Sequence, residues 1–221
     1  MPNWVLNKVQ FNGNEEDVKK LREFVKSEET VFDFDKIVPM PEELNITSGS
    51  EETIAIACAK ARRNGETTSS EFEKSWAKGR TFDEWADLGE KYLSNLEKYG
   101  ATTWYDWRWD NWGTKWNSSD AYWDSENEVS FSTAWNAPEF IYRKLAELFP
   151  DIPFRVSFAD EDLGSNCGLF DYDGRFFSVS FVDDYEFACE IWGIDPEDMI
   201  DEEPEEIEED EEQEEIEEEH E

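Results

Sequence analysis

Seven tryptophans stand within the 32 residues from Trp104 to Trp135, at positions 104, 107, 109, 112, 116, 123 and 135. A tryptophan buries roughly 150–250 Å², so at about 25 cal/mol per Å² each enclosed ring contributes roughly 4–6 kcal/mol before opposing costs. This stretch therefore either builds a dense core or presents a binding platform. Alternation of Trp112, Thr114 and Trp116 predicts a strand with one buried face. By the same pattern Trp4, Trp112, Trp116 and Trp135 are expected to be buried. Trp107 and Trp109 flank Arg108 with no clean face, so at least one of them is expected to be partly exposed. With Asp110 and Lys115 as polar handles, these two rings form a candidate binding patch.

The rest of the chain alternates strand and helix patterns. Trp4–Phe11 reads as a strand with Val5, Asn7, Val9 and Phe11 on one face. Asn14 is placed to cap a helix opened by Glu15-Glu16-Asp17, with Val18, Leu21 and Val25 as its buried stripe. Val31–Val38 reads as a second extended run, stopped by Pro39 and Pro41. Residues 45–100 read as a helical insertion. One of its helices runs from Ser50 to Arg63; another opens on the capping-box pattern Thr81-Phe82-Asp83-Glu84 and carries Trp85, Leu88, Tyr92, Leu96 and Tyr99. After the tryptophan-rich segment and a polar turn, Val129, Phe131, Thr133 and Trp135 alternate as a strand. Pro138 suits the first turn of a helix with Ile141, Leu145 and Leu148 inward. Phe154, Val156 and Phe158 alternate again, and Asp173-Gly174 signals a hairpin between Leu169–Tyr172 and Phe176–Phe181. A short helix is expected near Tyr185–Trp192. This order predicts an α+β fold: a βαββαβ antiparallel sheet with helices on one face, the ferredoxin-like arrangement. The expected domain spans 1–195, with the insertion at about 45–100.

Charge divides the chain. The 57 acidic residues against 20 basic give a net charge of −37. Residues 196–221 hold 18 of the acids and no Lys or Arg, so 1–195 still carries −19. Such an acidic run repels itself and has little to bury, so 196–221 is expected to be a disordered low-complexity tail. The charge disfavours a phosphate backbone or an anionic membrane as partner and favours a basic protein surface. Whether the acidity mimics a nucleic acid or serves solubility stays open at this point. No window approaches the length of an apolar membrane span. Three dispersed cysteines (Cys58, Cys167, Cys189) and the lack of a signal-peptide pattern lead to the expectation of a reduced, cytoplasmic protein.

Catalytic chemistry finds little footing. The one histidine, His220, lies in the acidic run, and no Gly-x-Ser-x-Gly, phosphate-binding glycine loop or zinc spacing occurs. The expectation is a protein that is not an enzyme and needs no cofactor or metal. Asp160-Glu161-Asp162 suits either a hard cation or a solvated loop; it lacks the spacing of an EF-hand. As exposed carboxylates, these three join the candidate binding residues.

Several segments together resemble a known family: Met1-Pro2-Asn3-Trp4-Val5, Phe32-Asp33-Phe34 leading to Val38-Pro39-Met40-Pro41-Glu42-Glu43-Leu44, Asn111-Trp112-Gly113-Thr114-Lys115-Trp116-Asn117, Phe131-Ser132-Thr133-Ala134-Trp135, and Ala159-Asp160-Glu161-Asp162-Leu163-Gly164. In this order they are similar to the Api92-like (YubB-type) ferredoxin-like domains of phages and plasmids, over roughly 1–44 and 99–182. The resemblance implies a bacterial mobile-element setting, the cytoplasm of the host cell, and the ferredoxin-like fold, with no settled activity to carry over. Arg108 stands where many relatives are expected to carry cysteine, which speaks against thiol chemistry there. The functional expectation is a non-enzymatic acidic protein that binds a host factor with a basic surface, a nucleic-acid-handling or defence protein. The alternative is single-stranded nucleic-acid or nucleotide binding on a tryptophan-rich sheet face.

Overall fold

Alternation along the first strand decides the layering of the molecule. In β1 (Trp4–Phe11) Val5, Asn7, Val9 and Phe11 are fully enclosed while Gln10 meets solvent, so one face of the strand is core from end to end. The computed structural model describes residues 2–75 and 79–199. In it β1 lies inside a six-stranded sheet of order β2-β3-β1-β4-β5-β6, with β2 (Ser119–Trp123), β3 (Glu128–Ala134), β4 (Phe154–Asp160), β5 (Gly168–Tyr172) and β6 (Phe177–Phe181). Every pairing is antiparallel. Asn7 and Val9 face Phe131 and Val129 on β3 and Phe158 and Val156 on β4, which stacks the apolar positions of three strands on one side.

Two helices cover that side. In α1 (Glu15–Val25) the Asn14 side chain accepts the Asp17 N–H at 3.0 Å, and Val18, Leu21 and Val25 turn inward. A later helix, α7 (Glu139–Leu148), contributes Ile141, Tyr142 and Leu145. Strands β1–β4 with these two helices form the ferredoxin-like unit, and the β5–β6 hairpin widens it. Asp173 builds that hairpin's turn by accepting the N–H groups of Arg175 and Phe176, each at 2.8 Å. One polar residue in the core is fully matched. Asn7 accepts the Tyr142 hydroxyl at 2.8 Å and donates to the Val5 carbonyl and the Thr133 hydroxyl, each at 2.9 Å. Burial pushes the Tyr142 phenol well above its ordinary value, so it stays a donor.

Four expectations are corrected. Val31–Val38 is not a strand: Asp33 accepts the Asp35 N–H at 2.9 Å and caps a one-turn helix, α2 (Phe34–Ile37), so Phe32 and Phe34 reach the core from a turn. The tryptophan-rich run is not a strand either. Thr103 caps it and Gly113, at φ +81°, closes it as a helix, α6 (Trp104–Trp112). The helices are not confined to one face, because α8 (Tyr185–Trp192) packs Ala188 and Ile191 with Leu6 and Ala159 on the opposite side of the sheet. Leu148, expected inward, is exposed.

The insertion is helical as read: α3 (Ser50–Arg63), α4 (Ser70–Ser75) and α5 (Phe82–Tyr99), the last opened by the Thr81–Glu84 capping box. It has its own core of Ile54, Ala55, Cys58, Trp85, Ala86 and Tyr92. Gly89 lets α3 and α5 approach closely, since a Cβ there would sit 2.0 Å from the Ala55 carbonyl oxygen. The acidic tail lies outside the described residues, apart from a 3-10 turn at Pro196–Met199.

Candidate interaction site

The start of β1 and the ends of β3 and β4 meet at one corner of the sheet. There Asp160, the last residue of β4, is 4% exposed. Its carboxylate accepts from Asn3 Nδ2 at 3.1 Å, the Asp162 N–H at 2.9 Å and Asn166 Nδ2 at 3.0 Å. A carboxylate withdrawn from water requires donors of this kind. Asp160 is thus a tie between the N-terminal segment and the 161–166 loop, not an open acid as read from the sequence. Glu161 and Asp162 do lie exposed on that loop. The Glu161 N–H donates to the Trp4 carbonyl at 2.9 Å, and Asp162 accepts the Ser165 hydroxyl at 2.9 Å.

The same tie holds Trp135. Its N–H donates to the Asn3 carbonyl and its carbonyl accepts from Asn166, both at 2.9 Å. Trp135 takes φ +71° and Asn166 φ +43°. Left-handed backbone costs a non-glycine residue about 1–2 kcal/mol, and such strain collects where geometry serves a function. As a result the Trp135 ring is 43% exposed, contrary to the burial expected from alternation. The reason is that β3 ends at Ala134, one residue before the pattern does.

Beside this corner runs a strip of rings. On α6, Tyr105 packs edge-on to Trp104 (5.6 Å) and Trp109 (6.5 Å). The Lys115 ammonium lies 5.6 Å from the Tyr105 ring and 4.6 Å from that of Trp116, and Trp116 in turn sits 5.9 Å from Trp4. All five rings and Lys115 are half-buried. Lys115 and Trp109 therefore join the 160–162 loop through Trp4, and apart from Trp4, the first residue of β1, the rings lie on a helix and a turn at the sheet's end. Trp107 does not belong to the strip; it is enclosed in the core, 6.0 Å from Trp112. Asp110 is exposed on α6 with no hydrogen bond or ion pair among the described residues.

Charge is uneven across the surface. In the insertion several acids are paired: Asp87 with Arg62 at 2.7 Å, Glu51 with Arg80 at 2.8 Å, and Glu90 with Arg63. At the corner the acids form no ion pair among the described residues, although Asp162 and Asp184 accept hydrogen bonds. The Val182 N–H donates to the Cys167 carbonyl at 3.0 Å, and Gly164 packs against the Tyr185 backbone. These contacts bring exposed Asp183, Asp184 and Glu186 beside the 161–166 loop. Arg175 is the last Lys or Arg of the chain.

Arg108 has a place that the sequence did not announce. Its guanidinium lies between the Trp104 ring (5.1 Å) and the Trp112 ring (4.6 Å), with Nε buried and unpartnered. Burial lowers its pKa from the ordinary range, and Asp35 acts in the opposite direction. Among the described residues no three His, Cys, Asp or Glu side chains gather as metal ligands would.

The segments that carry the family resemblance converge in space. Trp112 Nε1 donates to the Val38 carbonyl at 2.9 Å, and Asn117 accepts the Phe34 N–H at 2.9 Å while donating to Asp33 at 2.7 Å. Thr114 donates to the Ala134 carbonyl at 2.8 Å. No curated protein sequence matches the chain. A crystal structure of a protein api92 from Yersinia pseudotuberculosis is similar over 82% of this chain and 99% of that one, at 12% identity and a TM-score of 0.43. The family model described as a ferredoxin-like domain in Api92-like protein matches residues 111–221, half of the sequence, and the chain accordingly belongs to the Api92-like family.

Proposed function

We propose that this chain is a non-enzymatic binding protein of a phage or related mobile element. It engages a basic surface on a host nucleic-acid-handling or defence protein and competes there with nucleic acid. The observation that carries this reading is Trp135, strained and turned outward beside the exposed acids Glu161, Asp162, Asp183, Asp184 and Glu186. An aromatic anchor ringed by charge is the usual make-up of an energetically focused protein interface, and unpaired carboxylates steer a basic partner toward it.

The test is capture of proteins from bacterial lysate on the intact chain and on Trp135→Ala and Glu161→Lys/Asp162→Lys variants. The expected partner is basic, is lost from both variants, weakens with added salt and is displaced by duplex DNA. Capture unchanged by the substitutions, or indifferent to DNA, would sink the proposal. One feature favours a second reading: Lys115 held between the Tyr105 and Trp116 rings suits stacking of a base. Titration with single-stranded oligonucleotides at low salt checks it through tryptophan quenching; a flat response excludes it.

A further inference from the structure

The two edges of the sheet are treated in opposite ways. On β2, a register shift between Ser119 and Tyr122, left-handed Asp120 and the nearby Asp124 disrupt the edge, which are the usual protections against strand addition. Within β6 no register shift, left-handed residue or charge occurs, and left-handed Asp183 lies two residues past its end. Phe176–Val182 is an uncharged seven-residue run without Pro or Gly, in a chain that is 35% charged. It has the composition of a pairing-prone strand.

The β6 register shows what is left open. Hydrogen bonds Asp173 N–H to the Phe176 carbonyl and Val182 N–H to the Cys167 carbonyl fix which pairs bond across to β5. Antiparallel bonding alternates, so the main-chain groups of Phe177, Val179 and Phe181 point away from β5. Their side chains lie on the α7 side of the sheet, where Phe181 is 67% exposed and Phe140 is 44% exposed. Phe181 and Phe140 line one shallow groove with Phe158 and Phe170.

We propose that β6 pairs with β6 of a second copy of this chain, antiparallel about Val179, joining two sheets edge to edge. Self-pairing about Val179 bonds all three outward residues, placing each Phe177 opposite the copy's Phe181 on the α7 side. The same register brings Arg175, in the hairpin turn just before β6, toward Asp183 of the copy, just past the end of its β6, twice by symmetry. Both are exposed and neither forms an ion pair among the described residues. This charge complementarity, at the last basic residue of the chain, selects a second copy over a strand of arbitrary sequence. The net charge of −37 opposes the approach of two copies, so the dimer strengthens as salt screens long-range repulsion. At 1 M salt the screening length is about 3 Å. The strands are five residues long, which places the contact among small, weak interfaces.

The test is sedimentation velocity of the full chain across a concentration series at low and at 1 M salt. A reversible dimer growing with concentration and favoured by salt is expected. Val179→Pro removes an outward donor without touching the ladder to β5, and should weaken dimerisation at least about tenfold with an unchanged far-UV spectrum. Arg175→Glu should weaken it similarly, and Arg175→Glu/Asp183→Lys should recover most of the loss. The charge pair keeps the test valid if the proline variant misfolds. A monomer at every concentration and salt, or a dimer indifferent to Val179→Pro and to the charge reversal, would overturn the inference.

Discussion

Replacing Asp160 by Ala tests whether one carboxylate ties the corner together. The substitution removes the acceptor for Asn3, the Asp162 N–H and Asn166 at a site that is 4% exposed. A hydrogen bond to a charged group contributes about 1.5–3 kcal/mol, so three would sum to roughly 4–9 kcal/mol. The partners are only partly buried, and water recovers part of the loss, which leaves about 3 kcal/mol as the expected cost. For a chain of this size that corresponds to a fall of roughly 6–12 °C in Tm. Asp160→Asn offers little relief, because an NH₂ group would replace one oxygen and confront either Asn3 or Asn166 as a second donor. Urea unfolding followed by tryptophan fluorescence measures the change, with Asn166→Ala as a partial version of the same loss. A cost for Asp160→Ala below about 1 kcal/mol, a surface-like value, would show that the three bonds do not hold the corner.

Other outcomes follow from the same geometry. Trp112→Ala should cost about 3–5 kcal/mol as a core deletion, whereas Trp135→Gly, which relieves left-handed strain, should change stability by less than about 1 kcal/mol; equal losses in thermal melts would contradict the exposure of Trp135. Gly89→Ala forces a Cβ onto the Ala55 carbonyl oxygen and should cost about 3 kcal/mol or more through displacement of α5 from α3, visible as lost helical signal or an early first transition in circular dichroism. Glu84 is held below the usual carboxylate range, first by the Thr81 N–H and then by the Thr81 hydroxyl. Its folded pKa lies below its unfolded one, so the cap's contribution is complete above pH 4.5 and is lost as pH falls through the lowered value. Hydrogen exchange at the start of α5 should therefore be unchanged between pH 7 and 5 after correction for intrinsic rates, and fraying in that window would refute the assignment.

The elements that the sequence revealed were those whose signal is local. Asn14, Thr81 and the Asp173-Gly174 turn each act within a few residues, and each is found where it was read. Alternation misled where it had a second explanation. Trp112, Thr114 and Trp116 alternate, yet Thr103 and Gly113 bracket a helix that ends at Trp112. Those capping signals were present in the sequence and outweigh a two-step alternation. Asp33 likewise interrupts an aromatic run as a cap, not as a strand residue. The corner itself was half legible. Lys115 and residues 160–162 were singled out, but nothing local marks Asp160 as buried or Trp135 as outward. Both depend on Asn3 and Asn166, which lie far from Trp135 in sequence and are brought together only when the sheet closes.

The position of β1 has a consequence for the order of events during folding. Residues 4–10 pair with 128–134 and residues 5–11 with 154–160, so β1 is synthesised long before either of its neighbours. Contacts this distant in sequence form slowly, because a long loop must close before any of them contributes. The helical insertion has the opposite character: α3 and α5 bring together residues 50–99 around their own core. The insertion is thus expected to fold early inside the loop that the sheet must close, compacting the span of chain between β1 and its partners. Keeping its residues but preventing their packing, as Gly89→Ala would by forcing α5 from α3, should slow refolding of the sheet even where every strand and the corner around Asp160 are retained.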